Sequence, residues 1–178
     1  SFGAYLGYAA AASKLGYTAY DLSSFNIEHA SSSFRGTLYS KTLDSSVTPD
    51  IIDFYTLSSN EPEIKLTVST GTDDKVYDSL YFREFLDVKD KYSSFLGQNA
   101  PIQRIETNVE NGKSLLVFKD SYAHSMLPFL TKHYSSITVL DMRYINVDYR
   151  RFVNVEDYDQ VLFLYNVITF SEDTNIRK

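Results

Sequence analysis

The chain has 178 residues, 43% hydrophobic, 15% aromatic and 22% charged, which suits one domain with a buried core. Its net charge is −6 with the basic residues scattered, so it lacks the basic footprint that a nucleic-acid partner requires. There is no cysteine, which removes disulfides and thiolate-bound metals, and no apolar run approaches the ~20 residues that span a bilayer. No membrane contact is expected from this segment. Tyrosine is frequent, with 15 copies against 12 of Phe and none of Trp. A phenol stacks and hydrogen-bonds, which suits sugar and peptide binders and equally suits a wide half-buried layer.

The opening "SFGAYLGYAAAASKLGY" predicts a helix from the first residues. Phe2, Tyr5, Leu6, Ala9 and Ala12 share one face, Gly16 is a natural stop, and Ser1 is a candidate N-cap. A core-grade helix with no Met and no polar lead-in suggests a piece of a longer protein, with any targeting segment upstream. Residues 21–80 are poor in helix signals and read as a small antiparallel, β-rich element inserted into, or packed on, an α/β core. Within it "FRGTLYSKT" (34–42) and "EIKLTVST" (63–70) look like strands. "VTPDIIDFYTL" reads as a turn leading into a short strand, and "STGTDD" as a turn. A helix near 79–86 and a loop at "FLGQNAP" follow. Then "KSLLVFK" is a strand, 122–134 a helix, "SITVLDM" a strand and "QVLFLYNVI" a nearly continuous apolar strand. "DYRRFVNVEDYDQ" would supply the second crossover as a short helix. Apolar runs separated by helix signals are what parallel strands buried on both faces produce, so a single three-layer α/β domain with a parallel sheet is expected over 1–178.

In open α/β sheets, chemistry gathers at the carboxyl ends of strands. In "LLVFKDSYAHSMLPFL" a strand turns into a helix at Asp120 and Ser121, where unpaired N–H groups and a positive dipole end are available. Ser121 is there either a nucleophile, with its own N–H aimed at an oxyanion, or half of an ordinary Asp-Ser cap; spacing leaves both open. His124, one helical turn on, should lie along the helix flank, satisfied or facing solvent, rather than over the Ser121 hydroxyl. His133 is placed to answer a helix dipole, and His29 has polar surroundings. No histidines pair at i,i+4 and neither HExxH nor a Gly-rich nucleotide motif occurs, so no metal and no cofactor is expected.

Arg35 and Gly36 in "FRGTLYS", and Gly97 and Asn99 in "FLGQN", are candidate pocket walls or oxyanion donors. Arg143 after "ITVLD" and Asn166 in "LFLYN" should lie near strand carboxyl ends, where a guanidinium or carboxamide holds a carbonyl or sugar oxygen. The plainer alternatives are that Arg143 pairs with a nearby Asp and Asn166 caps a turn. For Asn166 the pocket is slightly favoured, because a polar residue breaking a buried apolar run needs a partner. The carboxylates of "NVEDYD" read as a solvated face rather than the paired acids of glycoside hydrolysis.

The stretch "KSLLVFKDSYAHSMLPFLTKHYSSITVLDMRYIN" resembles the second half of the DHHW family of bacterial extracytoplasmic proteins, relatives of the SGNH-hydrolase-like proteins that acetylate alginate. The resemblance extends to "FRGTLYSKT", "YSSFLGQNAPI" and "DYDQVLFLYNVITFSEDTN" and covers most of the chain. It implies a flavodoxin-like, SGNH-hydrolase-like fold and a cell-envelope address. The chemistry it implies is that of an acetyl esterase or O-acetyltransferase acting on a surface polysaccharide. In that wider group a Gly-Asp-Ser corner carries the nucleophile, and an Asp-x-x-His or Asp-x-His motif carries the base and its orienting acid. Asp120 and Ser121 match the corner, with Lys119 where Gly is usual. The family's Asp-His-His-Trp tetrapeptide lies just upstream of a helix resembling "SFGAYLGYAA" and is not in this sequence. The resemblance therefore implies a base from an upstream segment of the same protein, and an inactive piece as given. The alternative is a non-catalytic extracytoplasmic module that binds glycan or protein.

Overall fold

In the computed structural model, which describes residues 1–36, 39, 46–71, 73–172 and 174, helix α1 (Phe2–Leu15) stops at Gly16. That glycine has a left-handed φ of 69°, which turns its N–H back onto the Ala12 carbonyl. The buried stripe of α1 is Tyr8, Ala12 and Leu15, whereas Phe2 and Leu6 of the expected face are exposed. Tyr8 sets this rotation, because its ring fills the space against Phe129 and His133, with centroids 5.3 and 5.6 Å away.

Strands β1 (Phe25–Phe34) and β2 (Asp50–Leu57) form an antiparallel two-stranded ribbon of their own. Ser1 stands at the N-cap of α1 without capping it; its Oγ accepts instead from the Asp53 N–H at 2.8 Å, which ties the helix start to the ribbon. The strand expected over 34–42 falls mostly outside the described residues, and Phe34 closes β1.

The main sheet contains β3 (Ile64–Ser69), β4 (Asp74–Tyr77), β5 (Ile102–Thr107), β6 (Ser114–Lys119), β7 (Ser136–Leu140) and β8 (Gln160–Leu164). Its order is β4-β3-β5-β7-β6-β8. Only β7, β6 and β8 are mutually parallel; β4, β3 and β5 run antiparallel to their neighbours. The sheet is thus mixed rather than parallel, and connection length explains why. The β3–β4 turn is too short for a crossover, while the segments after β6 and β7 are long enough for one.

One face of the sheet packs Leu66, Ile105, Leu115, Val117, Ile137 and Val139 against α1 and the α2 helix (Leu127–Leu130). The other packs Leu116, Phe118 and Leu140 under Met142, Ile145 and Val153, in a segment of short 3₁₀ turns where one crossover helix was expected. The helix expected over 122–134 is also broken: a 3₁₀ turn at Ser121–Ser125 precedes the single α-turn of α2. Pro128 accounts for the break, since it supplies no N–H to bond back to residue 124 and suits only a first helical turn. Among the described residues β8 is an edge strand, with Val161 and Phe163 exposed and Gln160, Leu162 and Leu164 half-buried, so its apolar run is covered on one side only. A short helix α3 (Val167–Glu172) follows.

Tyrosine builds a core layer here. Tyr17 stacks on His133 at 4.1 Å, and the Tyr8 hydroxyl accepts from the Tyr20 N–H while donating to His133 Nε2 at 2.7 Å. Burial lowers the His133 pKa to about 4, so this ring is neutral and does not answer a helix dipole.

Candidate active site at the carboxyl end of β6

Four consecutive buried residues, Leu115 to Phe118, anchor β6 and deliver Lys119, Asp120 and Ser121 to the carboxyl edge of the sheet. Asp120 is buried and fully engaged: Oδ1 accepts the Tyr122 N–H at 2.9 Å and Oδ2 accepts the Asn166 N–H at 2.9 Å. The aspartate therefore caps the turn and ties the end of β6 to the end of β8. Ser121 Oγ has no hydrogen-bond partner among the described residues. The residue is half-buried and lines a cavity of about 470 Å³ together with Arg35, Gly36, Tyr92, Asn99 and His124.

Behind the serine lies a buried polar knot. The Lys119 side chain is wholly buried, and its ammonium donates to Asn99 Oδ1 at 3.2 Å, His124 Nε2 at 2.7 Å and Asp141 Oδ2 at 3.0 Å. Three N–H donors meet three acceptors. Arg143 closes the far side, Nε to Asp141 Oδ1 at 2.8 Å and Nη2 to Oδ2 at 2.6 Å, a bidentate pair. Burial lowers the Lys119 pKa despite the nearby Asp141 carboxylate. Burial alone would raise Asp141, but hydrogen bonds from Arg143 and the charge of Lys119 hold it below the ordinary carboxylate range. His124 accepts from Lys119 at Nε2, so its Nδ1 carries the proton and donates to the Phe95 carbonyl at 3.0 Å. Burial, then the Lys119 charge, lowers its pKa to about 3. With both ring nitrogens occupied, His124 is no base for Ser121.

The loop before β5 presents Asn99. Leu96 and Gly97 are consecutive left-handed residues, φ 62° and 76°, and the Leu96 peptide is pinned by Leu80 O at 2.7 Å and Gln103 Nε2 at 2.9 Å. Forcing a leucine into this region costs about 1–2 kcal/mol, which the surrounding packing must offset. Gly97 packs on Phe82 and does not line the cavity.

The structure thus brings Arg35, Gly36 and Asn99 to Ser121 and leaves Gly97, Arg143 and Asn166 elsewhere. Arg143 is held on Asp141. Asn166 caps α3, its Oδ1 accepting the Ile168 N–H at 2.9 Å, and it lines a second cavity of about 430 Å³ with Ser1, Gly3, Tyr122 and Leu164. These are the plainer alternatives that the sequence left open for both residues. Sequence reasoning missed Tyr92, whose hydroxyl donates to the Tyr122 carbonyl at 2.9 Å and whose ring stacks along His124 to wall the cavity. No periodic or motif signal marks it. Among the described residues no group of three or more His, Asp or Glu is placed to hold a metal.

The two neutral histidines set an acid response. Each binds fewer protons folded than unfolded between pH 6.5 and its own lowered pKa. Stability is therefore full above 6.5 and falls as pH drops, by up to about 1.4 kcal/mol per pH unit for each ring. Urea midpoints measured from pH 7 to 5 should show this slope, and His133→Gln should roughly halve it.

The DHHW protein family profile matches residues 1–140. This chain belongs to the DHHW family. A crystal structure of a DHHW family protein from Eubacterium siraeum DSM 15702 is 25% identical with a TM-score of 0.82, covering 98% of this chain and 58% of that one. Two structures of Bacillus cereus PatB1 share the fold, both with TM-score 0.74 and covering 97% of this chain. The one described with a sulfonyl adduct is 19% identical and covered over 59% of its length; the other is 21% identical and covered over 61%. This DHHW chain therefore spans about three-fifths of the solved structures it resembles. No curated protein matches it.

Proposed function

We propose that this chain is the serine-bearing part of an SGNH-hydrolase-like DHHW protein of the bacterial cell envelope. In this reading the whole protein transfers or hydrolyses an acyl group, acetyl on a surface glycan. The observation that carries it is the division of labour at the corner: Asp120 does the capping, so the Ser121 hydroxyl is left unbonded in a cavity. Ser121 Oγ attacks the acyl carbonyl, its proton passes to a base, and the alcohol leaves with a proton returned from that base. A sugar hydroxyl or water then attacks the acyl-serine. Lys119 engages Asn99 Oδ1, which leaves the Asn99 Nδ2 hydrogens to serve, in this reading, as oxyanion donors together with the Ser121 N–H on the shared cavity.

The base is assigned to the polypeptide upstream of Ser1. His124 is engaged at both nitrogens, His133 is stacked in the tyrosine layer, and His29 sits exposed on the ribbon beside Asp53. Ser1 and Gly3 share a cavity wall with Tyr122, so chain entering α1 arrives next to the corner. PatB1 adds support, since its sulfonyl adduct is what a sulfur electrophile leaves on a reactive nucleophile.

Treating the full-length protein with phenylmethylsulfonyl fluoride should add one sulfonyl group to the Ser121 peptide, seen by mass spectrometry and absent in Ser121→Ala. The 178-residue chain alone should label at least about a hundredfold slower, because general-base activation is worth about 10²–10⁴. An unlabelled Ser121 in the full-length protein would favour a glycan- or protein-binding module. Hydrolysis of p-nitrophenyl acetate by the 178-residue chain, abolished in Ser121→Ala, would refute the upstream base.

A further inference from the structure

The two edges of the main sheet are built differently. At one edge β4 has four residues, all exposed, with Asp74 and Lys75 on it, the short charged form that discourages pairing. At the other, β8 reads Gln-Val-Leu-Phe-Leu, with no charge, proline or bulge. Its Val161 and Phe163 side chains are exposed, Phe163 by 54%, and the following α3 exposes Val167 and Ile168 by 82% and 66%. Among the described residues, β6 is the one strand that pairs with β8. The Leu164 carbonyl accepts from Asp120 N on the β6 side. By the alternation of a strand, Leu162 and Leu164 turn their peptide groups toward β6, and Val161 and Phe163 turn theirs outward. This is a bare, apolar pairing edge.

The course of α1 identifies what covers it. The Leu15 carbonyl at the helix end accepts from Gln160 Nε2 at 3.0 Å, at the start of β8. Ser1 and Gly3 at the helix beginning line one cavity with Leu164, Tyr165 and Asn166, at the finish of β8. Helix α1 therefore runs back along β8, antiparallel to it, on the face that holds Leu162 and Leu164. A strand that feeds such a helix runs parallel to the strands beneath. Polypeptide arriving at Ser1 comes from the carboxyl end of β8, beside the bare edge. The Eubacterium siraeum relative is longer than this chain, since the match covers 58% of it.

We infer that the outer edge of β8 pairs with a strand from the polypeptide immediately upstream of Ser1, running parallel to β8 and finishing beside the Ser121 corner. About five residues, ~17 Å of strand, match β8 in length. Pairing there bonds the outward peptide groups of Val161 and Phe163 and extends the sheet by one strand. It also fixes where the residues between that strand and α1 are held, next to Tyr122. The pairing stands whether or not Ser121 is a nucleophile, because it rests on the edge and on the course of α1.

Residue-resolved hydrogen exchange on the full-length protein tests it without reference to activity. The Val161 and Phe163 amides should exchange within about tenfold of the Leu162 and Leu164 amides, which bond to β6. Exchange more than tenfold faster would mean an open edge and would overturn the inference. So would protection that grows with protein concentration, the mark of a second copy. A photo-crosslinking residue in place of Val161 identifies the neighbour. Capture of a peptide within about 15 residues upstream of Ser1 is expected, and capture only of sequence downstream of Lys178 would overturn the assignment.

Discussion

Replacing Asp141 by alanine is expected to destabilise the domain by about 3–5 kcal/mol, the range for removing one partner of a buried ion pair. The carboxylate faces two cations, and they differ in their routes to water. Arg143 is 32% exposed and can turn outward, but the Lys119 side chain is wholly buried and cannot. Without Asp141 the ammonium keeps only the neutral acceptors Asn99 and His124, and it escapes by losing its proton. Burial already lowers the Lys119 pKa with Asp141 present, and the variant should lower it further. A lysine that binds its proton less readily when folded gives a domain whose stability rises with pH. The Asp141→Ala defect should accordingly shrink between pH 7 and 9.5 in urea unfolding.

Lys119→Met is the informative contrast. It removes the charge, keeps the apolar length, and leaves Asp141 its bidentate partner Arg143. Asn99 Oδ1 can turn to water, so the chief loss is the unsatisfied His124 Nε2, about 1–3 kcal/mol. The Lys119 charge also helps depress His124, so the ring pKa should rise in this variant. If Lys119→Met proved costlier than Asp141→Ala, the poorly compensated charge would not be the ammonium.

How much of this was legible depended on whether the controlling partner was local. The apolar runs of β6 and β7 and the turn at Asp120 and Ser121 announce themselves in sequence, because each is decided within a few residues. The antiparallel character of residues 21–80 was legible, but periodicity carries neither strand direction nor sheet membership, so the joining of β3 and β4 to the main sheet through an antiparallel β5 was hidden. β1 was hidden too: its "FNIEHASSSF" is largely exposed, pairs among the described residues with β2 alone, and shows no alternation. The Arg143–Asp141 pair lies two residues apart and was foreseeable as an alternative, as was the Asn166 cap. Lys119 was not foreseeable. A lysine at a strand end reads as a solvated head, and its burial depends on Asn99 from the loop before β5 and Asp141 from the end of β7 converging with His124 of the turn that follows the lysine. Single-strand reasoning likewise could not show that β8 lies at an edge, where half of an apolar run faces outward.

Asn99 joins that knot to the proposed chemistry, and its two substitutions separate binding from catalysis. In the full-length protein, Asn99→Ala is expected to lower kcat on an aryl acetate by about 10²–10³ with little change in KM. That is the cost of removing one oxyanion donor. Asn99→Asp should be at least as damaging, although it is nearly isosteric. Its carboxylate would still accept from Lys119, now as an ion pair, yet it has no N–H to offer an oxyanion and would repel the developing negative charge. Stability should move the opposite way, with Asn99→Asp at or above the parent in thermal unfolding, since a buried ammonium gains a counter-charge. A purely architectural Asn99 would give the reverse ranking, with the aspartate variant close to full activity and the alanine variant impaired. Sulfonyl labelling of Ser121 should persist in both variants, because the hydroxyl and its base are untouched. Persistence of that label alongside a lost kcat places the defect in transition-state stabilisation rather than in nucleophile activation.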